Sequence, residues 1–171
     1  IKIPGNSPIP YYIAANSAQT VVIPSNMEVR TSEKVSNNVV EVTSDVPISV
    51  YAMNSQYTTS DSYAVVPTAN WGNDYTIMSM PNDAYAPLVV DSLPPEEIRQ
   101  SEFLIIAQLD GTVIKFTPTA KTELGKAKGV QQSVTLNKGQ CYLVKASPLL
   151  QRGDGDLSGT SVSANQPIAV I

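Results

Sequence analysis

A proline-centred motif occurs twice in this chain. Both copies read Val-x-(Ser/Ala)-x-x-Pro-Ile-x-Val, with Pro47 in the first copy and Pro167 in the second. Similar segments precede the two copies, since an apolar run, a turn and an alternating stretch occur at 21–29 and again at 134–144. Proline does not fit a helix interior and restricts the pairing of a strand. The chain is therefore predicted to contain an internal pseudo-repeat built from β-structure.

Short apolar or alternating segments, separated by turn residues, recur along the whole sequence. Asp110-Gly111 is the strongest hairpin signal, and further strand pairs are predicted around Ser44-Asp45 and Asn137-Lys138-Gly139. The segment Pro94–Gln100 begins like a helix but is too short to bury much surface. The pattern predicts an all-β fold, a β-sandwich of roughly a dozen short strands with little or no helix.

The 171 residues suffice for one ordinary domain with a real core. Residues 1–19 are rich in proline and asparagine and are predicted to be a lead segment or an edge strand. Residues 20–171 are predicted to form one β-sandwich module. Because the last residues stop within a strand pattern, we expect the module to be cut from a longer, repeat-bearing chain.

Composition excludes several classes of function. The net charge is -4 and no cluster of lysine and arginine occurs, so a nucleic-acid partner is not expected. The chain has no histidine, which removes the usual general base, the commonest metal ligand and triad chemistry. The single cysteine, Cys141, lies in an alternating segment and is predicted to be a buried structural thiol. No apolar run reaches transmembrane length.

Several short strings match a known family. They are Pro47-Ile48-Ser49-Val50-Tyr51, the string Val66-Pro67-x-x-x-Trp71-Gly72-x-x-Tyr75, and Asp156-Leu157-Ser158-Gly159-Thr160 followed by Pro167-Ile168-Ala169-Val170. The chain resembles the N-terminal domain of IgGFc-binding proteins from about residue 20 onward. The resemblance implies an extracellular, non-catalytic interaction module. Since this sequence lacks the paired cysteines of the vertebrate form, Fc binding is not carried over.

A loop near the carboxyl end holds two candidate sites. Asp154 and Asp156 form an Asp-x-Asp turn, an arrangement that supplies oxygen ligands to calcium. The favoured interpretation is an Asx-turn, with calcium as the alternative, because six to eight oxygens are not visible in the sequence. Arg152-Gly153-Asp154 spells the tripeptide that integrins recognise, between glycines typical of an exposed tip.

Aromatic residues mixed with amides and acids are the remaining ligand candidates. Tyr57 lies in a polar loop, and Trp71 and Asp74 lie in an Asn-Trp-Gly-Asn-Asp segment. Such a mixture can stack a sugar or a partner side chain while the polar groups bind hydroxyls. For Trp71, the alternative is a structural role within the family motif.

The sequence thus predicts a non-catalytic extracellular or cell-surface module for adhesion or interaction. It would present loops to a protein or a glycan and contact neighbouring modules of the same chain. No enzyme is expected, because the glutamates fall in no motif that pairs a general acid with a base. Two alternatives stay open, a carbohydrate-binding module of a secreted enzyme and a purely structural spacer or coat domain. No cofactor is predicted beyond the calcium alternative.

Overall fold

The computed structural model describes residues 1–55, 60–82, 99–150 and 154–171. The predicted all-β class is confirmed, since the described residues contain nine strands, two single-turn 3-10 helices and no α-helix. The candidate helix at 94–100 lies almost wholly outside the described residues. The strands are β1 (Val35–Ser36), β2 (Tyr51–Ser55), β3 (Ser60–Ala64), β4 (Gly72–Thr76), β5 (Glu102–Ala107), β6 (Thr112–Thr117), β7 (Gln132–Leu136), β8 (Cys141–Lys145) and β9 (Ser161–Val170), and the 3-10 turns are Ser25–Met27 and Thr68–Asn70.

The second copy of the proline motif is the central strand of the fold. β9 is ten residues long and pairs antiparallel with three strands. β4 lies along one edge of β9, and β5 and β6 share the other edge one after the other. β8 and β7 then pair with β5 and β6, and β1 pairs with β8 to complete one seven-stranded sheet.

The predicted hairpin at Asp110-Gly111 is wrong. β5 and β6 do not pair with each other. Both run antiparallel to β9, one after the other along the same edge, and together they form one continuous ribbon. Ala107 and Ile114 are seven positions apart in the chain, whereas the residues of β9 that pair with them are only four positions apart. Asp110-Gly111 does make a turn, as its residue types predict, but this turn is a bend within one long ribbon.

The predicted strand pair around Asn137-Lys138-Gly139 is wrong for the same reason. β7 pairs with β6 and β8 pairs with β5, so β7 and β8 also form one continuous ribbon. The two bends contact each other: Lys138 N donates to Asp110 Oδ1 at 2.9 Å, and Gly111 N donates to Asn137 Oδ1 at 3.1 Å. The turn residues of the two ribbons therefore hydrogen-bond to each other at the place where both ribbons bend.

Pro167 lies where the ladders of β9 are interrupted. On one side the register with β4 shifts between Gly72 and Asp74, and on the other side the junction of β5 and β6 faces it. Proline has no N–H to donate, and so within sheets it is confined to edges and bulges. The Asn165 side chain occupies part of this gap, since its Oδ1 accepts a hydrogen bond from Val113 N at 2.7 Å.

The sheet bends at the level of Pro167, and its two halves come into contact. The ring centroids of Phe103 on β5 and Phe116 on β6 are 6.1 Å apart in an edge-to-face contact. Thirteen residues of straight strand would separate them by about 43 Å. One folded sheet therefore encloses the core, and the predicted two-sheet sandwich of a dozen strands is not confirmed. The core includes Phe103, Ile105, Ile114, Phe116, Leu136, Val144, Leu157, Val162 and Ile168.

The first copy of the proline motif has a different structure. Residues 42–50 form no strand, so the predicted hairpin around Ser44-Asp45 is wrong. The chain enters β2 only at Tyr51, and β2 pairs with β3 in a separate two-stranded sheet. Ser32 and Glu33 attach the amino-terminal segment to β8, through a hydrogen bond from Lys145 N to Ser32 Oγ at 3.0 Å and one from Glu33 N to Leu143 O at 2.7 Å.

The contact between the two halves of the sheet can be measured by a double-mutant cycle. We expect Phe103→Leu and Phe116→Leu to show a coupling free energy of about 0.5–1.5 kcal/mol in urea unfolding. Either single substitution already removes the edge-to-face contact, so the double variant does not lose it a second time. Phe103→Leu combined with Leu109→Ala, at the half-exposed bend, is the control and should be additive. Additive effects for the two phenylalanines would contradict the folded sheet.

Candidate interaction surface

A buried asparagine fixes the loops at one end of the sheet. Asn82 is 2% exposed, and its Nδ2 donates to Ser147 O at 2.8 Å while its Oδ1 accepts from Ser101 N at 2.9 Å. Its backbone N donates to Gly155 O at 2.8 Å. Because a buried amide without partners would be costly, these bonds hold the chain on both sides of 83–98 against the loop that contains Gly155.

Three serines extend this network toward β5. Ser101 Oγ accepts from Leu157 N at 2.9 Å and lies 3.1 Å from Ser79 Oγ. Ser79 Oγ also donates to Glu102 O at 2.9 Å, and Ser158 Oγ donates to Ser79 O at 2.7 Å. Hydroxyl groups thus connect the segment after β4 to the start of β5, which brings the two ends of the bent sheet together.

The Asp-x-Asp loop is packed against this network. Asp156 Oδ1 accepts a hydrogen bond from Ser158 N at 2.8 Å, the geometry of an Asx-turn, while Asp154 is exposed. In the part of the chain that the structure describes, no three Asp, Glu or Cys side chains gather as a metal cluster. Calcium binding at Asp154 and Asp156 stays a prediction. In the integrin-type tripeptide, Arg152 and Gly153 lie outside the described residues.

Of the predicted ligand residues, Trp71 directly precedes β4 and Asp74 lies within it. The indole Nε1 of Trp71 donates to Val66 O at 3.0 Å, which fixes the ring beside the segment after β3. The Tyr75 hydroxyl accepts from Gly72 N at 2.8 Å and donates to Ile168 O at 2.7 Å. The Trp-Gly-x-x-Tyr motif therefore closes β4 onto β9, whereas the Asp74 side chain is exposed. Tyr57, the third candidate, lies outside the described residues.

The β2–β3 hairpin exposes aromatic and sulfur side chains that the sequence patterns did not single out as a site. Tyr51 is 74% exposed and Met53 is 72% exposed on one face, and Tyr63 is half-exposed on the other. Tyr and Met are enriched where proteins bind one another. We call the exposed residues Tyr51, Met53 and Tyr63, together with Val66 and Trp71 beside them, the hairpin surface.

Among the described residues, the aromatic side chains of the hairpin surface are at least partly exposed to solvent. A cleft of about 150 Å³ lies between β4, β5 and the end of β9, lined in part by Tyr75, Ile77, Phe103 and Val170. Sites that enclose small molecules usually measure roughly 300–1,000 Å³.

An ion pair anchors the amino-terminal segment to the module. Glu33 Oε2 lies 2.9 Å from Lys126 Nζ, and the Glu33 side chain is 1% exposed. Hydrogen bonding to the Glu33 carboxylate raises the pKa of Lys126 above its usual value. Glu33 adopts a φ of 56°, a left-handed conformation that is rare for residues other than glycine. The surrounding contacts therefore hold this residue in place, and the loop at 118–129 is docked by its lysine.

Cys141 is buried, as predicted from its alternating segment. Burial raises the pKa of its thiol above the usual value, and a protonated thiol is a poor nucleophile. The cysteine therefore belongs to the packing of β8.

Comparison with known proteins agrees with this structure. The family model described as IgGFc binding protein matches residues 61–171, which is well over half of the chain. The chain belongs to the IgGFc-binding protein family. The matched residues include β4 to β9 and the Trp-Gly-x-x-Tyr motif, and the expected extension of the module to residue 20 stays a prediction.

No curated protein and no solved structure matches the chain. Within the described residues, no helix is long and apolar enough to cross a membrane.

The packing of Asn82 against Gly155, here called the loop clamp, predicts that two glycine substitutions differ in their cost to stability. A Cβ at Gly155 would lie 2.3 Å from Asn82 Nδ2 and 2.9 Å from Asn82 Cβ, so Gly155→Ala must displace the buried amide. We expect it to lower the free energy of unfolding by about 1–3 kcal/mol, the usual cost of overpacking. A Cβ at Gly72 would meet only the Tyr75 ring, at 3.6 Å or more, so Gly72→Ala should cost less. Equal losses in urea titrations of the two variants would contradict the clamp.

Proposed function

We propose that this protein is a non-catalytic extracellular interaction module that binds a protein partner through the hairpin surface. Membership of the IgGFc-binding protein family supports an extracellular protein-binding module. The single observation that supports a contact at the hairpin surface is the exposure of Tyr51 and Met53 on a two-stranded sheet that lies outside the core.

Apolar area and side-chain entropy both favour the hairpin surface as the contact. Tyr and Met present large apolar surfaces, and a tyrosine side chain has few rotatable bonds to immobilise on binding. A short hairpin with both faces in water gains stability when a partner covers one of them. The bond from Val65 N to Val50 O at 2.9 Å extends the β2–β3 ladder, and the bond from Trp71 Nε1 to Val66 O holds the end of the hairpin beside the start of β4.

The carbohydrate-binding alternative has weaker support. The Trp71 ring is partly covered and its Nε1 is already bonded within the chain, so it offers less of the free aromatic face that sugars stack on. The spacer alternative predicts no ligand at all. Binding experiments separate these three functions.

The test is to probe labelled protein against an array of purified secreted and cell-surface proteins, with an immunoglobulin Fc fragment included, and against a glycan array. We expect saturable binding to a protein. The double variant Tyr51→Ala/Met53→Ala should weaken it at least about tenfold, as loss of two central contacts implies.

Met78→Ala is the matched control, because Met78 is 95% exposed but lies after β4 and outside the hairpin surface. Glycan binding that Trp71→Ala abolishes would support the carbohydrate alternative. Binding to neither array would contradict the proposed function and favour the spacer.

A further inference from the structure

The seven-stranded sheet has an unprotected edge at β7. Among the described residues, β7 pairs with β6 alone, and this pairing covers five consecutive residues without a register shift. The strand reads Gln-Ser-Val-Thr-Leu and contains neither proline nor an ionisable side chain. Natural sheets usually protect an edge with charges, proline, a bulge or a short strand, because free N–H and C=O groups accept another strand.

The other outer strands of this sheet do carry such protection. β1, which pairs with β8, is only two residues long. β4 is interrupted by the register shift between Gly72 and Asp74, and Asp74 adds a charge. Short strands, bulges and charges all discourage pairing with another chain. Within the described part of the sheet, β7 is therefore the edge best suited to bind a further strand.

The backbone of β7 directs Ser133 and Thr135 away from β6. Val113 N donates to Asn165 Oδ1 of β9, so Val113 faces away from β7. Val113 pairs with Thr135, and in an antiparallel pair both residues either bond to each other or face away. Thr135 therefore faces away from β6, and Ser133 does so too, because direction alternates along a strand. Both residues are exposed.

The residue pattern of β7 matches a second copy of itself. In an antiparallel register centred on Val134, Ser133 of each copy lies opposite Thr135 of the other. These two pairs have their N–H and C=O groups directed at each other, so each pair can exchange both hydrogen bonds. Facing hydroxyl side chains also stabilise a sheet. Such a contact is symmetric, as the interface of a two-fold dimer must be.

The flanking charges are compatible with this register. Lys128 and Lys138 are the nearest ionisable residues on either side of β7. Facing positions sum to 268 about Val134, so these lysines would lie opposite Gln140 and Val130 of the other copy and no two lysines meet. Val130 is 52% exposed, and a partner strand beside it would cover part of this apolar surface.

We propose that β7 is a homodimerisation edge, at which two copies of this protein pair antiparallel about Val134. Main-chain hydrogen bonds supply the affinity of such an added strand, and the facing side chains select the partner. A second copy fits because each small hydroxyl side chain faces another and no charge is buried. The interaction is separate from the proposed function, since it uses an edge of the main sheet and not the hairpin surface.

Sedimentation velocity of the whole protein over a concentration series measures the association. We expect a reversible monomer–dimer equilibrium. Ser133→Glu/Thr135→Glu should weaken the dimer at least about tenfold, because carboxylates would face each other across the axis. Ser133→Glu/Thr135→Lys is the matched variant and should keep the dimer, because each carboxylate would face an ammonium group. Both positions are exposed, and Lys115 lies opposite Ser133 on β6, so the single chain tolerates a carboxylate there.

A cysteine on the axis tests the register. The two Val134 positions would form a pair without hydrogen bonds, with Cα atoms about 4.5 Å apart, a distance that a disulfide can span. Val134→Cys should therefore give a covalent dimer under mild oxidation. Thr135→Cys is the control, because its two copies lie diagonally, about 7–8 Å apart, although Thr135 is more exposed than Val134. The native Cys141 is buried.

Three results would overturn the proposal. The first is a monomer at every concentration. The second is equal association of the two charge variants, which would place the contact at another surface. The third is cross-linking of Thr135→Cys as readily as Val134→Cys, which would exclude pairing about Val134.

Discussion

The whole fold depends on one proline-containing strand that pairs on both edges. β9 holds β4 on one side and the β5–β6 ribbon on the other, and Pro167 interrupts both ladders at the same level. Because proline cannot donate a hydrogen bond there, the sheet bends at this line without breaking a bond that a straight sheet would have made. The bend brings Phe103 against Phe116 and so creates a core within a single sheet.

Local sequence patterns predicted the type of structure well, because alternation and turn residues act over short distances. β5, β6 and β8 lie where alternating or apolar runs occur, and the burial of Cys141 follows from its position in such a run. Pairing was not predictable in the same way. Asp110-Gly111 has the residue types of a hairpin turn, yet β5 and β6 both pair with β9, more than forty residues away. A strand's register depends on its tertiary partners, which a short window does not contain.

The candidate sites show the same limit. The Asx-turn of Asp156 and the structural bonding of Trp71 follow from their motifs, whereas the exposure of Tyr51 and Met53 does not. These two residues continue the first proline motif, whose second copy forms a central strand. The motif residues that the two copies share do not distinguish them, so the exposure of Tyr51 and Met53 could not be predicted from the motif. The sequence shows the motif twice, and in the structure the second copy lies in a central strand while residues 42–50 of the first form no strand.

Native-state hydrogen exchange on the whole protein tests this central claim most directly, because it measures the stability of the two proline motifs in one experiment. We expect the amides of 162–170 that bond within the ladders of β9 to exchange only with global unfolding. We expect the amides of 42–50 to exchange through local opening, orders of magnitude faster. Equal protection of the two copies in the isolated protein would contradict the claim that neighbouring strands, and not the motif itself, decide which copy forms a strand.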